Sequence, residues 1–330
     1  MRTITLEEHV ATPAFMEGPG RQLRAMADSI RDHPEAAAGV GKLVERLLDV
    51  GDGRLAEMDA AAIDVQVLSL TSPGTEQLPA VEATALARSV NDALAGAVAA
   101  HPDRFAAFAA LPTADPTGAA GELTRAVREL GFPGAQINGH TGGRYLDDEF
   151  FWPILERTEQ LSVPIYLHPT PPPGPVAAAY AGNYSPGVAG VFATSAWGWH
   201  IETAFHVIRL ILGGALDRFP RLQFVVGHLG EVLPFMLPRL ELALPSQLTK
   251  LARPFSAYLR ENLHYTVSGF NWTPAFLDLF LEVGVDRIMF SADHPYQSMA
   301  EARDFLDHLP VSLGDRERIA HGNAERLLGL

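Results

Sequence analysis

Strand-length runs rich in β-branched and aromatic residues recur eight times along this chain, and the stretches between them carry apolar residues at helical spacing. The runs lie at 3–7, 65–70, 104–110, 134–137, 164–167, 223–227, 264–267 and 287–291; helical stretches cover 81–100, 117–130, 148–161, 201–216, 273–283 and 298–309. Neighbouring parallel strands need a long crossover, usually a helix, so this alternation predicts a parallel sheet. Eight repeats predict that the sheet closes into an α/β fold of the (β/α)8 barrel type. An open doubly wound sheet lacks its usual mark, because no Gly-x-Gly-x-x-Gly follows the first run and no phosphate-loop motif occurs. With 47% hydrophobic residues, the 330-residue chain has an ample core for one domain spanning 1–330.

Two connections are too long to be turns: 10–53 after the first strand and 169–200 after the fifth. Long insertions on the carboxyl-terminal face of a barrel become lids or pocket walls. The second opens with Pro169-Thr170-Pro171-Pro172-Pro173-Gly174-Pro175, which proline stiffens by fixing φ, and ends near Trp197-Gly198-Trp199.

Four apolar runs end in an imidazole or a carboxylate: Glu7 and His9 after the first, His168 after the fifth, His228 after the sixth, Asp293 after the eighth. The carboxyl ends of barrel strands are where such folds gather their active sites. In an extended strand, Glu7 and His9 leave on one face and Glu8 on the other. With His168 and Asp293 they make a nitrogen and oxygen donor set suited to zinc, manganese or iron. No cysteine is present, so thiolate ligands, cysteine nucleophiles and disulfides are excluded. In His228-Leu229-Gly230-Glu231 the glutamate is expected at the start of the next helix, where it can take the second ring proton of His228. His228 is then either a fifth ligand or an unliganded acid or base beside the metal. His294 should point away from the axis.

A net charge of −14 and only two lysines, Lys42 and Lys250, argue against a nucleic-acid surface, though local arginines remain able to hold an anion. No uncharged apolar run reaches membrane-spanning length and no export signal is visible, so a soluble cytoplasmic protein is expected.

Taken together, Glu-x-His, the histidine at 168, His-x-Gly-Glu from His228 and Ser-x-Asp-x-Pro from Ser291 resemble the amidohydrolase superfamily. More narrowly they resemble its branch of metal-dependent non-oxidative decarboxylases, which includes the γ-resorcylate and 2,3-dihydroxybenzoate enzymes. Similar stretches are Arg54 to Asp59, His101 to Phe105, Glu202-Thr203, Asp217 to Pro220 and Gly322 to Leu327. The resemblance implies that Glu7, His9, His168 and Asp293 hold one divalent metal per subunit, zinc first, with manganese or magnesium as alternatives. It implies a catalytic dyad of His228 and Glu231, Asp293 as proton donor to carbon, a small aromatic carboxylate as substrate, and a homodimer or homotetramer. Absence of a lysine near Gln136-Ile137-Asn138 speaks against a carbamate-bridged second metal. Arg239 resembles an arginine of that branch, expected to meet substrate or a neighbouring subunit. Phe15, Trp197, Trp199, Phe270, Trp272 and Tyr296 follow strands and are candidates to sandwich a planar ring. Hydrolysis of a lactone or amide is the main rival on the same donor set, hydration of an unsaturated acid a lesser one, and a silent scaffold barrel the rival from another class.

Overall fold

In the computed structural model, which describes residues 1–21 and 34–330, the eight expected strands are all present. They are β1 (Ile4–Val10), β2 (Val65–Leu70), β3 (Phe105–Ala107, continued by Ala109–Ala110), β4 (Ala135–Asn138), β5 (Ile165–His168), β6 (Phe224–Val226), β7 (Leu263–Thr266) and β8 (Ile288–Met289). Every pairing between them is parallel. At Phe108 the third strand passes from one neighbour to the other: Phe108 N–H donates to Leu68 O at 2.9 Å and Ala109 N–H to Gly134 O at 2.9 Å. The last strand region closes on the first, with Glu7 N–H donating to Ser291 Oγ at 2.8 Å and His9 N–H to His294 O at 2.7 Å. The result is a closed (β/α)8 barrel.

Two apolar layers follow from this closure. Ile4, Leu6, Val65, Val67, Ala106, Phe108, Tyr166, Val225 and Met289 fill the barrel interior, with Ala324 and Leu328 of the last helix, Asn323–Leu328, packed against them. A larger layer packs the outward strand faces against the surrounding helices. Each fully buried large side chain here is worth about 1.5–3 kcal/mol relative to exposure.

One irregularity in β1 matters for the site. Thr5 pairs with Gln66 and Glu8 with Leu68, so Leu6 and Glu7 together oppose Val67. This bulge shifts the two-residue alternation by one. Ile4 and Leu6 face the barrel interior, whereas Val10 joins the outer layer.

Of the 10–53 connection, residues 22–33 lie outside the described residues; its other parts include helices Pro13–Glu17 and Pro34–Leu48. The 169–200 connection folds into two short helices, Gly174–Ala181 and Pro186–Ala193, each with proline in its first turn where a missing N–H costs nothing. Tyr180, Val188 and Val191 remain exposed on them, as does Tyr184 between them. No helix among the described residues is long and apolar enough to cross a membrane.

Candidate metal and acid–base site

The ends of β1, β5, β6 and β8 bring their polar side chains to one buried point. Glu7 Oε1 lies 3.2 Å from His168 Nε2, 3.9 Å from His9 Nε2 and 3.8 Å from His228 Nε2. His9 Nε2 is 3.3 Å from Asp293 Oδ1. Donor atoms of Glu7, His9 and His168 all fall within 4.8 Å of one another. Glu7 Oε1, both ring nitrogens of His9 and His168 Nδ1 are buried without a hydrogen-bond partner. Burying such groups unpaired costs about 1–3 kcal/mol each, and a cation held among Glu7, His9, His168 and Asp293 removes that cost for Glu7 Oε1 and His9 Nε2, the unpartnered atoms that face it. The donor set therefore fits a divalent metal of the kind bound by nitrogen and oxygen.

The surroundings aim these groups. The second oxygen of Glu7 accepts the Tyr166 hydroxyl, which is itself 2.7 Å from Thr266 Oγ1 and 3.2 Å from Ser268 Oγ. Glu8 turns the other way and accepts from Ala292 N–H at 2.9 Å and Gln66 Nε2 at 3.1 Å, tying β1 to β8 and β2. Burial pushes the Glu8 carboxyl up to about 8. Arg54, buried in helix Asp52–Ala60, donates to the His9 carbonyl at 2.6 Å and to Gln66 Oε1 at 3.2 Å, fixing the strand end that carries His9. His294 faces away from the axis, its Nδ1 3.8 Å from Glu57 Oε2.

Electrostatics separate the two carboxyls of the donor set. Burial would raise Glu7, but His228, His168 and His9 around it hold it well below the ordinary carboxylate range. Burial and the neighbouring Glu7 charge raise Asp293 well above that range. Of the two, Asp293 is therefore the carboxyl able to carry a proton and Glu7 the one that stays ionised. His228 is raised to about 10: burial works against its charge, yet Glu231 and Glu7 outweigh it. An imidazolium results, with its Nδ1 bonded to Glu231 Oε1 at 2.8 Å and its Nε2 turned toward the donor set.

Glu231 is not helical, contrary to the sequence expectation. The following helix begins at Leu233, and His228, Leu229, Glu231 and Val232 all have positive φ, between 50° and 69°. Asp293 shares this left-handed conformation at φ 62°. Such backbone is costly for residues other than glycine and collects where function requires a particular side-chain direction.

One residue of the constellation escaped the sequence reading. His200, near the start of helix Gly198–Leu212, places its Nδ1 2.6 Å from Glu231 Oε2, and its ring centroid is 4.7 Å from that of His228. The available signal was its place on the buried stripe of that helix, with Thr203, Ala204 and Val207. Because Glu231 already satisfies both rings with hydrogen bonds, the trio reads as an acid–base network rather than a second metal site.

The aromatic candidates divide. Phe270 packs edge-on against His200 and His228, at 5.1 and 5.3 Å between centroids, and Tyr296 against His9 at 5.4 Å, with its hydroxyl 2.7 Å from Thr71 Oγ1. Trp199 supports His200 through its indole N–H at 3.1 Å. Phe15 is a correction: it is fully buried in the outer core, where it packs with Met16, and presents no face to a ligand. Trp197 and Trp272 stand exposed with no ring contact to the site. Arg239 lies on an exposed face of Leu233–Ala243 and makes none of the described ion pairs or hydrogen bonds.

A closed parallel barrel with carboxylates and imidazoles converging at its strand ends defines a metal-dependent barrel enzyme scaffold. The chain belongs to the amidohydrolase family, whose model matches residues 45–330. It is 37% identical over 341 residues to a γ-resorcylate decarboxylase of Rhizobium sp., covering 99% of this chain and 98% of that protein. Among solved structures it resembles the 5-carboxyvanillate decarboxylase of Novosphingobium aromaticivorans, complexed with manganese and 4-hydroxy-3-methoxy-5-nitrobenzoic acid (TM-score 0.89, 35% identity, 100% and 96% coverage). It also resembles a dihydroxybenzoic acid decarboxylase of Polaromonas with bound manganese and 2-nitroresorcinol (TM-score 0.88, 36% identity, 100% and 97% coverage).

Proposed function

We propose that this protein is a metal-dependent non-oxidative decarboxylase of hydroxylated aromatic carboxylates, a carboxy-lyase. The observation that carries the reading is the buried donor set of Glu7, His9 and His168 with Asp293 beside it, next to the hydrogen-bonded His228–Glu231 pair. Identity of 37% to a γ-resorcylate decarboxylase over nearly the whole chain supports the substrate class. Glu7, His9, His168 and Asp293 are the proposed ligands of one divalent cation. Zinc and manganese both suit two carboxylates and two imidazoles, and the manganese of the related structures favours manganese.

When bound, the cation supplies Lewis acidity to the substrate carboxylate and an adjoining phenolic oxygen. The protein's own groups do the rest. Asp293 transfers a proton to the ring carbon that bears the carboxylate. The electrons of the carbon–carboxyl bond then return to the ring, carbon dioxide departs, and the transferred proton remains on the arene. Solvent returns a proton to Asp293, so one proton is consumed for each carboxylate. His228 offers its Nε2–H to the phenolic oxygen, to which electron density returns as carbon dioxide leaves, with Glu231 holding the imidazole. Phe270 and Tyr296 are the proposed flanks of the planar ring, supported by their edge contacts with His228 and His9.

We further propose a homodimer or homotetramer, supported by Phe235 and Leu242, 71% and 75% exposed on helix Leu233–Ala243. Light scattering behind a sizing column tests it, and a monomer refutes it.

Purified protein with manganese and 2,6-dihydroxybenzoate should release carbon dioxide and resorcinol in equal amounts, stop with a chelator, and resume when metal is restored. Intact hydroxybenzoates together with an opened lactone or amide would instead establish a hydrolase.

A further inference from the structure

We propose that His200 is a positioning residue that donates from Nδ1 to Glu231 and thereby keeps Glu231 aimed at His228. The proposal rests on the dyad assignment above and extends it to a third residue.

Glu231 is 1% exposed, and no lysine or arginine lies within ion-pair distance of it among the described residues. Its charge is met by two imidazoles alone, His228 Nδ1 on Oε1 at 2.8 Å and His200 Nδ1 on Oε2 at 2.6 Å. A carboxylate held by one partner can rotate about its last torsion, whereas one held at both oxygens cannot. Losing His200 leaves Oε2 buried without a donor, and the carboxylate then gains by turning away from His228 toward any other one.

The surroundings select the tautomer this role needs. An indole N–H only donates, and Trp199 Nε1 is 3.1 Å from His200 Nε2. Nε2 can accept from it, while the Glu231 carboxylate, which only accepts, requires a proton on Nδ1. The Ser195 carbonyl, 3.0 Å from the same Nε2, only accepts, so Nε2 meets one donor and one acceptor, and it is the Glu231 carboxylate at 2.6 Å from Nδ1 that decides the placement. Phe270 closes over both imidazoles, which limits the reorientation of either. Trp199 and Ser195 belong to the 169–200 insertion, so the segment walling the site also contacts the residue behind the dyad.

The test compares His200→Phe, which keeps ring shape without a donor, with His200→Asn, whose amide nitrogen sits near the place of Nδ1. With manganese and 2,6-dihydroxybenzoate, His200→Phe is expected to lose about 10–100-fold in kcat with KM little changed, and His200→Asn to recover most of it. Nitrogen-15 NMR of histidine-labelled wild type should show His200 protonated at Nδ1, and His200→Phe should shift the Nδ1–H signal of His228. Unchanged kcat in His200→Phe, an Asn variant as slow as the Phe variant, or a bare Nδ1 in the wild type each overturns the proposal. Should no decarboxylation occur at all, the ring-nitrogen signals still decide the role of His200 while the reaction fails separately. If His200→Phe does not fold, the wild-type spectrum and the Asn variant carry the test.

Discussion

Replacing Tyr166 by phenylalanine should weaken metal binding without touching a metal ligand. Tyr166 rises from β5 inside the barrel, is fully buried, and gives its hydroxyl to the second oxygen of Glu7 while Thr266 and Ser268 hold that hydroxyl in place. Phenylalanine keeps the packing against Phe108, whose ring centroid is 5.9 Å away, so the change falls on orientation and not on shape. Partners that orient a metal ligand are typically worth 10–100-fold in affinity, about 1.4–2.7 kcal/mol. Close packing limits relief: a Cβ on Gly227 would come within 2.6 Å of Glu7 Oε2 and 3.0 Å of the Tyr166 hydroxyl. The vacated space is about one water molecule in size at most. Competition with a metal buffer measures the manganese dissociation constant of both proteins directly, independent of turnover, with circular dichroism to establish that both are folded. A dissociation constant within about twofold of wild type would show that Glu7 needs no orienting partner, and the argument from buried hydrogen bonds at this site would fail.

His228→Ala should retain stoichiometric metal yet lose about 10²–10⁴-fold in kcat, checked by elemental analysis beside a carbon dioxide assay. Arg54→Met removes the donor to the His9 carbonyl and to Gln66 Oε1, and is expected to cost about 1–3 kcal/mol in urea unfolding for the buried acceptors left unpaired. His206 is buried, accepts from Leu146 N–H at 2.9 Å, and is lowered to about 3 by burial and by the charges of His140 and Arg209. Below its ordinary value of 6.5 the unfolded chain takes up a proton that the native ring refuses. Stability should therefore fall by about 1.4 kcal/mol per pH unit as pH drops from 6.5 toward 3 on this account alone. His206→Gln should flatten the slope of unfolding free energy against pH by one proton, and an unchanged slope would refute the assignment.

The strand ends were legible because a barrel imposes a strong pattern: a short apolar run followed by an isolated polar residue. Glu7, His9, His168, His228 and Asp293 could be located from that pattern before any coordinates, as could the approximate bounds of most helices. Legibility failed where local sequence does not encode direction. Leu6-Glu7-Glu8 reads as ordinary alternation, yet the bulge that puts Leu6 and Glu7 on the same partner residue depends on how β1 meets β2. Phe15 follows a strand, as a pocket residue does, but the 10–53 connection folds back and buries it. His200 sits between Trp199 and Ile201 with no motif of its own, and only the packing of helix Gly198–Leu212 brings it to Glu231.

The left-handed residues show why the site is nonetheless so closely specified. His228, Leu229, Glu231, Val232 and Asp293 each occupy a backbone region that costs about 1–3 kcal/mol, and none is a glycine that would relieve it. Glycine does occur within the same turn, at Gly230 with φ 86°, so left-handed backbone there is compatible with glycine. What glycine does not supply is a side chain: imidazole at 228 and carboxylates at 231 and 293 are the groups that reach the donor set and the hydrogen-bond network. The surrounding contacts hold the strain in place, with Glu231 bound at both oxygens and the Asp293 carbonyl accepting from Gln297 N–H at 2.9 Å. A loop selected for stability alone would place glycine or asparagine at these positions. Retaining histidine, glutamate and aspartate there ties the strain to the direction of their side chains, and hence to the chemistry proposed for them.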